Sequence, residues 1–437
     1  MPDINGVKHL ATYITVKHGF AFEGRYFCDE PTTEILVTPG NFAIGGGFQK
    51  GKSKYYAGPI PQDYILRGGD LVVTMTDLSK AGDTLGYPAL IPTENNRVYL
   101  HNQRIGLVSI IEPDQLDRGY LYYLLCTDAY RNHILATASG STVRHTSPTR
   151  ICDFSAKLPP LKEQQATAKT LRVLDDKIEQ NRRTSRALEE LAQATFKAWF
   201  TDFEPIKAKA TGHTGFPGMP SSAFAALPNH LADSPVGPVP EGWAVRPIGD
   251  LVTVKGGGTP STKIPAYWDD GTHFWATPKD LSGLKDPVLL GTERRITDAG
   301  AESISSGVMP KNTVLLSSRA PVGYTALAKV PVAVNQGFIA MTCDGPLPPH
   351  YILHWTRSAL EEIKSRASGT TFPEISKSAF RPIPVVVPDS VVVEAFECVA
   401  QELFDLIESN ARETDRLAEL RDYLLPHLLR GAVRVEL

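Results

Sequence analysis

Apolar residues between positions 171 and 199 recur at alternating intervals of three and four. The stripe runs from Leu171 through Leu174, Ile178, Asn181, Ser185, Leu188, Ala192, Thr195 and Trp199. That spacing belongs to a helix that lays one narrow seam along another helix. A second stripe follows 229 positions later, through Ala400, Leu403, Ile407, Asn410, Thr414, Leu417, Arg421, Leu424 and Leu428. Each pattern outruns an ordinary globular helix of about 8–20 residues. At 1.5 Å per residue, a helix of roughly 40 residues is on the order of 60 Å long. Asn181 and Asn410 occupy the same step of the two seams, where a polar residue fixes register and direction at some cost in stability. Two such helices in one chain predict an antiparallel pair. The plainer alternative is that each packs only on its own domain.

Outside the seams the pattern changes to short β-branched runs bounded by Gly, Pro, Asp and Asn: EILVTP at 34–39, DLVVTMT at 70–76, NTVLLSS at 312–318 and RPIPVVV at 381–387. These predict strands. Helices are predicted late in each strand-rich stretch, near 118–136 and 348–366, the second opening after two prolines. Residues 205–240 are rich in Pro, Gly, Ala and Ser and read as a linker or long loop.

The chain repeats itself. ASGST at 138–142 returns as ASGTT at 367–371, KLPPL at 157–161 is answered by PIPVVVP at 382–388, and IEQN at 178–181 by IESN at 407–410. Fainter echoes link GGDLVVTMTD at 68–77 to KNTVLLSSRA at 311–320, and HNQRIG at 101–106 to VNQGFI at 334–339. Five matches in one order imply internal duplication. The expected fold class is α+β: two strand-rich α/β domains separated by two long helices that form an antiparallel coiled coil with pseudo-twofold symmetry. The expected boundaries are 1–157 for the first domain, 158–204 for the central helix, 205–240 for the linker, 241–388 for the second domain and 389–437 for the C-terminal helix.

Composition narrows the function. Across 437 residues, hydrophobic content is 42% and charged content 21%, ordinary for a globular chain of several units. No apolar run approaches the ~18 residues of a membrane span. The N-terminus lacks a secretory pattern. Cys28, Cys126, Cys152, Cys343 and Cys398 are scattered without a C-x-x-C pair, which argues against a disulfide scaffold or zinc site and predicts a reducing, cytoplasmic setting. The net charge of −3 is unusual for a DNA binder. However, the acidic excess sits at the C-terminal end, where residues 391–437 hold ten acidic and five basic side chains. Each globular stretch is left free to present a basic face.

Three stretches carry a family resemblance. They are LPPLKEQQATAKTLRVLDDKIEQNRRTSRALEELAQATFKAWFTDFEP at 158–205, GGGTPSTKIPAYWDDGTHFWATPKDL at 256–281 and ASGTTFPEISKSAF at 367–380. Together they resemble the specificity subunit of type I restriction–modification systems over nearly the whole chain. The resemblance implies two target recognition domains, each reading one half of a split duplex DNA site. It also implies helices that set the gap and dock two methyltransferase subunits, with a restriction and motor subunit joining them. The first domain departs from the pattern: it has KHGFAFEGRYF at 17–27 where a G-x-T-P opening is expected. A non-catalytic scaffold, or the specificity chain of a related system lacking the motor, remains the alternative.

Catalytic motifs are missing. LPPL at 158–161 and LPPHY at 347–351 lack the Asn or Asp that would begin an adenine-methyltransferase motif, and no P-loop occurs. Glu362-Ile363-Lys364, the Asp175-Asp176-Lys177 run and the His350/His354 pair read as solvated or packed helix positions. The chain is therefore expected to bind no cofactor. S-adenosylmethionine and ATP with Mg would be held by the partner subunits.

Base edges are read by side chains that reach the grooves, and phosphate contacts position them. In the first domain the candidates are Lys50, Lys52, Lys54 and Tyr55 of FQKGKSKYY, then Gln103, Arg104, Arg144 and His145. In the second they are Thr259, Lys263, Tyr267, Lys279, Ser318, Arg319, Asn335, Gln336, Thr370 and Thr371. Each of these also has a plain structural reading, and Trp268 and Trp275 read as core. FKAWF at 196–200 and YLLPHLL at 423–429 add apolar residues beyond the seam, as a docking surface would, or as a fold-back onto the chain's own domains would.

Overall fold

A computed structural model describes residues 7–51, 53–79, 81–369, 371 and 373–433. The chain forms two compact units, Met1–Asp176 with Leu417–Leu437, and Lys177–Arg416. The division falls inside both long helices, Leu161–Phe200 and Ser390–Leu429, so the first unit is completed by sequence from the far end of the chain, whereas the second is one continuous stretch that carries part of each helix.

The two units share one wiring. In the first, a four-stranded antiparallel sheet runs in the order Ile14–His18, Ile105–Ile110, Leu71–Thr74, Pro88–Leu90. In the second, the matching strands are Thr253–Lys255, Phe338–Thr342, Val314–Ser317 and Thr325–Ala328, extended by Val288–Leu289. A second sheet in each unit is built on a parallel pair, Glu34–Val37 with Val98–His101 in the first and His273–Ala276 with Val332–Val334 in the second. A closing strand returns to the start of each domain: Ser155–Lys157 pairs Val7–His9, and Pro384–Val387 pairs Ala244–Pro247. The central strands explain the β-branched runs. Leu71 and Val73 face a cluster with Tyr120, Leu121 and Ile134, whereas Val72 faces Ile35, Val37, Phe42 and Tyr99. A strand buried on both faces reads as a continuous apolar run. Val314 and Leu316 against Leu315 repeat the arrangement.

The long helices pair antiparallel within each unit. In the first, Leu171 packs with Leu424, Leu425, Leu428 and Tyr123, and Asp175 meets Arg421 at 2.8 Å. In the second, Asn181 Nδ2 donates to Glu413 Oε2 at 2.8 Å, while Phe196 meets Phe396 with centroids 5.7 Å apart. Leu171, Ile178, Asn181, Ser185, Ala192, Trp199, Ala400, Ile407, Thr414 and Leu428 are buried. Leu174, Leu188, Leu403, Asn410, Leu417 and Leu424 are half-buried. On the second helix Phe404 and Ala411 hold the fully buried steps beside Leu403 and Asn410. The helix packs on its own domain as well as on its mate, so the stripe is broader than a two-helix seam. The two asparagines are therefore not equivalent. Asp175, too, is no outward-facing residue: it also accepts from Tyr123 at 2.7 Å.

Two other expectations change. Residues 205–240 do not form a loose linker. They contain the helices Glu204–Ala210 and Ser221–Ala226, and Ile206, Met219, Phe224, Leu227 and Val239 join the second unit's core. Widely spaced apolar residues escape a compositional reading. Phe196, Trp199 and Phe200 of FKAWF are likewise spent inside that core, against Tyr351, Phe396 and Trp243, so they offer no docking surface. Leu428 and Leu429 are buried in the first unit, and Tyr423 is exposed. The expected helices near 118–136 and 348–366 each break once, giving Arg118–Leu124 with Asp128–Thr137 and Pro349–Ser358 with Leu360–Ser365.

Two glycines are fixed by close approach. A Cβ on Gly19 would lie 2.1 Å from the Asn102 carbonyl oxygen, and one on Gly257 would lie 1.9 Å from that of Val334. Gly19→Ala and Gly257→Ala are expected to destabilise their units by about 1–3 kcal/mol or more. Gly215→Ala, in open space, should leave the melting profile unchanged. Thermal unfolding of the three variants checks this.

Burial holds His354 near pKa 3 and His101 near 4, with Arg357 and His350 adding to the effect at His354. Both are therefore neutral when folded, and in the unfolded chain they take up a proton near pH 6.5. The stability they allow is present above that pH. It is lost on acidification, at about 1.4 kcal/mol per pH unit for each histidine. Melts between pH 7 and 5 should fall accordingly. In His354→Phe the second unit's decline should be shallower, and an unchanged slope would exclude His354 as its source.

Candidate nucleic-acid interface

Each unit builds the same junction from four separated segments. In the first unit, a turn at 102–104 joins the parallel-pair strand to the antiparallel sheet. Asn102 Oδ1 accepts from the Arg104 amide at 3.0 Å, the side-chain-to-backbone bond that makes Asn a turn former. The turn is tied to the opening strand by Phe20 N to His101 O at 2.8 Å and Gln103 N to Phe20 O at 2.9 Å. It is tied to the central strand by Met75 N to Arg104 O at 2.8 Å, and Thr146 N then donates to Met75 O at 3.0 Å. Arg144 and His145 pair with Asp77 and Thr76, and Thr76 Oγ1 lies 3.2 Å from His145 Nδ1.

The second unit repeats most of these bonds. Asn335 Oδ1 accepts from the Gly337 amide at 2.9 Å. Gly258 N donates to Val334 O at 2.9 Å, Ser318 N to Gly337 O at 2.8 Å and Ile375 N to Ser318 O at 3.0 Å. Arg319 bridges to Glu374, with their charged groups 3.6 Å apart. The echo between HNQRIG and VNQGFI is thus an Asn-Gln turn in a matching setting. The missing G-x-T-P opening in the first unit is replaced by Gly19, which makes the approach that Gly257 makes in the second.

The structure gathers some of the proposed readers and separates others. In the second unit Lys279, Arg319 and Asn335 line one cleft of about 450 Å³ with Thr277, Tyr324 and Gly337. Thr259 Oγ1 bonds Gln336 Oε1 at 2.7 Å beside it. Lys279 is exposed, and its bond to Glu293 at 2.7 Å raises its pKa. Lys263 and Thr371 are exposed, Tyr267 is half-buried and Ser318 is buried, so the Ser318 hydroxyl is poorly placed to meet a ligand. In the first unit Gln103, Arg104 and His145 are exposed and Arg144 is half-buried. Lys50 and Tyr55 lie elsewhere, in a cleft of about 600 Å³ with Phe48, Glu94, Arg97 and Tyr99, at the opposite end of the Val98–His101 strand from Gln103. There Lys50 pairs with Glu94. Lys54 is exposed, 6.0 Å over the Phe27 ring. Lys52 and Thr370 lie outside the described residues.

Other cations went unnoticed in the sequence. Lys17 sits 4.4 Å over the Tyr64 ring and donates to the Asp63 carbonyl at 2.8 Å. Arg294 stacks on Trp268, and Arg295 sits 4.5 Å over Phe274. The adjacent arginines of TERRIT were the available signal. Trp275 is buried as expected of a core aromatic, whereas Trp268 is half-buried. Glu362 and Lys364 are engaged with Arg366 and Glu361 along their helix. Among the described residues no three metal-binding side chains converge and no helix is long and apolar enough to cross a membrane.

Comparison with known proteins agrees with this duplicated plan. The profile of the type I restriction modification DNA specificity domain matches residues 46–190 and again 240–420. The HindI specificity subunit of Haemophilus influenzae is 26% identical over 404 residues, covering 81% of this chain and 87% of that protein. The MjaIX specificity subunit of Methanocaldococcus jannaschii is 36% identical over 190 residues, covering 43% of this chain and 44% of the relative, so that match spans less than half of its length. The crystal structure of a type I S subunit from M. genitalium shares the fold, with a TM-score of 0.58 at 14% identity over 98% of both chains. The chain belongs to the type I restriction–modification specificity family and carries two copies of its DNA specificity domain.

Proposed function

We propose that this chain selects the DNA site for a type I restriction–modification complex and performs no chemistry itself. Each unit reads one half of a bipartite duplex target at its Asn-Gln junction. The first domain uses Gln103, Arg104, Arg144 and His145, and the second uses Thr259, Lys279, Arg319, Asn335 and Gln336. Lys263, Tyr267 and Thr371 flank the second site, and Lys50, Lys54 and Tyr55 make backbone contacts apart from the first. The observation that carries the reading is the same four-segment junction built twice with different exposed side chains. Asn, Gln and Arg are the residue types that pair with base edges.

The paired helices set the gap between half-sites and dock two methyltransferase subunits. Those subunits supply S-adenosylmethionine-dependent methylation, and a restriction subunit supplies ATP- and Mg-dependent cleavage. The complex works in the cytoplasm.

Exchanging residues 241–380 for those of another specificity subunit should change one half of the methylated target and leave the other intact. Inserting one heptad in each long helix should lengthen the gap and preserve both half-sequences. Sequencing of methylated DNA reads both outcomes. Altered half-sites at an unchanged gap would refute the spacer role. Native mass measurement of the co-expressed assembly should give one such chain to two methyltransferases, and a one-to-one ratio would refute the docking scheme.

A further inference from the structure

The Arg294 guanidinium carbon lies 3.6 Å from the Trp268 ring centroid and 5.4 Å from that of Trp275. The two indoles meet edge to face, 5.1 Å apart at 89°. Each spends its own N–H on the glycine-rich loop: Trp268 Nε1 donates to the Ser261 carbonyl at 3.1 Å and Trp275 Nε1 to that of Gly258 at 3.0 Å. The stack is therefore anchored to the loop that carries Thr259, and through Thr259 to Gln336.

Arg294 is exposed on the edge strand Arg294–Ile296. Among the described residues no carboxylate or carbonyl accepts a hydrogen bond from its guanidinium. Its neighbours differ: Lys279 is spent on Glu293, and Arg319 lies beside Glu374. Stacking holds a guanidinium by its face and leaves the in-plane N–H groups open. A planar cation fixed in this way has lost much of its rotamer freedom before any ligand arrives, which favours binding. Its paired N–H groups fit two neighbouring acceptors, either guanine O6 and N7 or two phosphate oxygens.

We propose that Arg294, held on the Trp268–Trp275 pair, donates directly to the DNA duplex and is part of the second unit's reading surface. The inference rests on the reading above that this unit binds duplex DNA. It adds a contact that the cleft residues do not supply.

The test compares Arg294→Gln, Arg294→Lys and Gln336→Ala in the full chain co-purified with its methyltransferase subunits. Duplexes carry single base changes in the second half-site, and affinity is measured at several salt concentrations. Arg294→Gln is expected to weaken binding on the order of tenfold or more. A loss equal for all sequences, partly restored in Arg294→Lys, with the salt slope reduced by about one, assigns phosphate oxygens. A loss confined to duplexes that retain one particular G·C pair, unrestored by lysine, assigns the guanine edge. Unchanged affinity in Arg294→Gln while Gln336→Ala loses binding overturns the proposal and leaves the reading of the junction standing. Unchanged affinity in both variants overturns the junction reading together with the proposal.

Discussion

The pairing of the two long helices is the constraint on which the rest depends. Neither helix can bury its apolar stripe alone, and each unit's core draws on both helices. The first unit takes Leu425 and Leu429 from the end of the second helix. The second unit builds one continuous core from Ala192, Phe196 and Trp199 of the first helix and Phe396, Phe404 and Ile407 of the second. The side chains that close each core also form the seam, so domain packing and helix pairing rest on the same residues.

Polar groups in that arrangement specify more than they stabilise. Lys329 is almost wholly buried and meets Glu408 at 3.6 Å, while Arg357 meets Glu189 at 2.7 Å. Burial depresses the Lys329 pKa, and the nearby carboxylate opposes that shift. A buried pair gains little net stability, but any packing that strands one of its charges is penalised by several kcal/mol. Asn181 acts alike, with its amide satisfied by Glu413. Such contacts tie a domain to one azimuth on its helix, which an apolar seam alone does not provide.

Much of this was legible in the sequence, for identifiable reasons. The heptad spacing and the duplicated order of motifs are long-range regularities that local noise cannot imitate, so the helices and the doubled architecture could be read directly. What escaped depended on side chains meeting across distance. The segment 205–240 looked like a linker because its core residues, Ile206, Met219, Ala223, Phe224, Leu227 and Val239, are diluted by Pro, Gly and Ala. FKAWF looked like a docking face because the seam accounted for only one side of its helix, and its other side meets Tyr351 and Trp243. In the candidate site the Asn-Gln echo was visible, but the burial of Ser318 and the separation of Lys50 and Tyr55 from Gln103 were not, because register and sheet order decide them. Arg294 was missed because its significance lies in Trp268 and Trp275, and strand pairing, not sequence proximity, brings Trp275 to it.

On the proposed reading, the two junctions let one fold serve two different recognition tasks. The bonds that define each junction are almost wholly backbone or come from the turn asparagine, Asn102 or Asn335, and these recur in both units. The residues set on that frame differ: exposed Arg104 stands against buried Gly337, buried Thr76 against half-buried Arg319, and exposed His145 against half-buried Glu374. A frame held by main-chain hydrogen bonds tolerates such exchanges, because Thr76 with His145 and Arg319 with Glu374 contact each other across it and the main-chain bonds persist with either pair. Selectivity can then diverge between the units while the geometry that presents it stays fixed. The same division of labour explains why Gly19 and Gly257 admit no Cβ although their sequence surroundings differ: the close approach belongs to the frame, and the surroundings belong to the surface it presents.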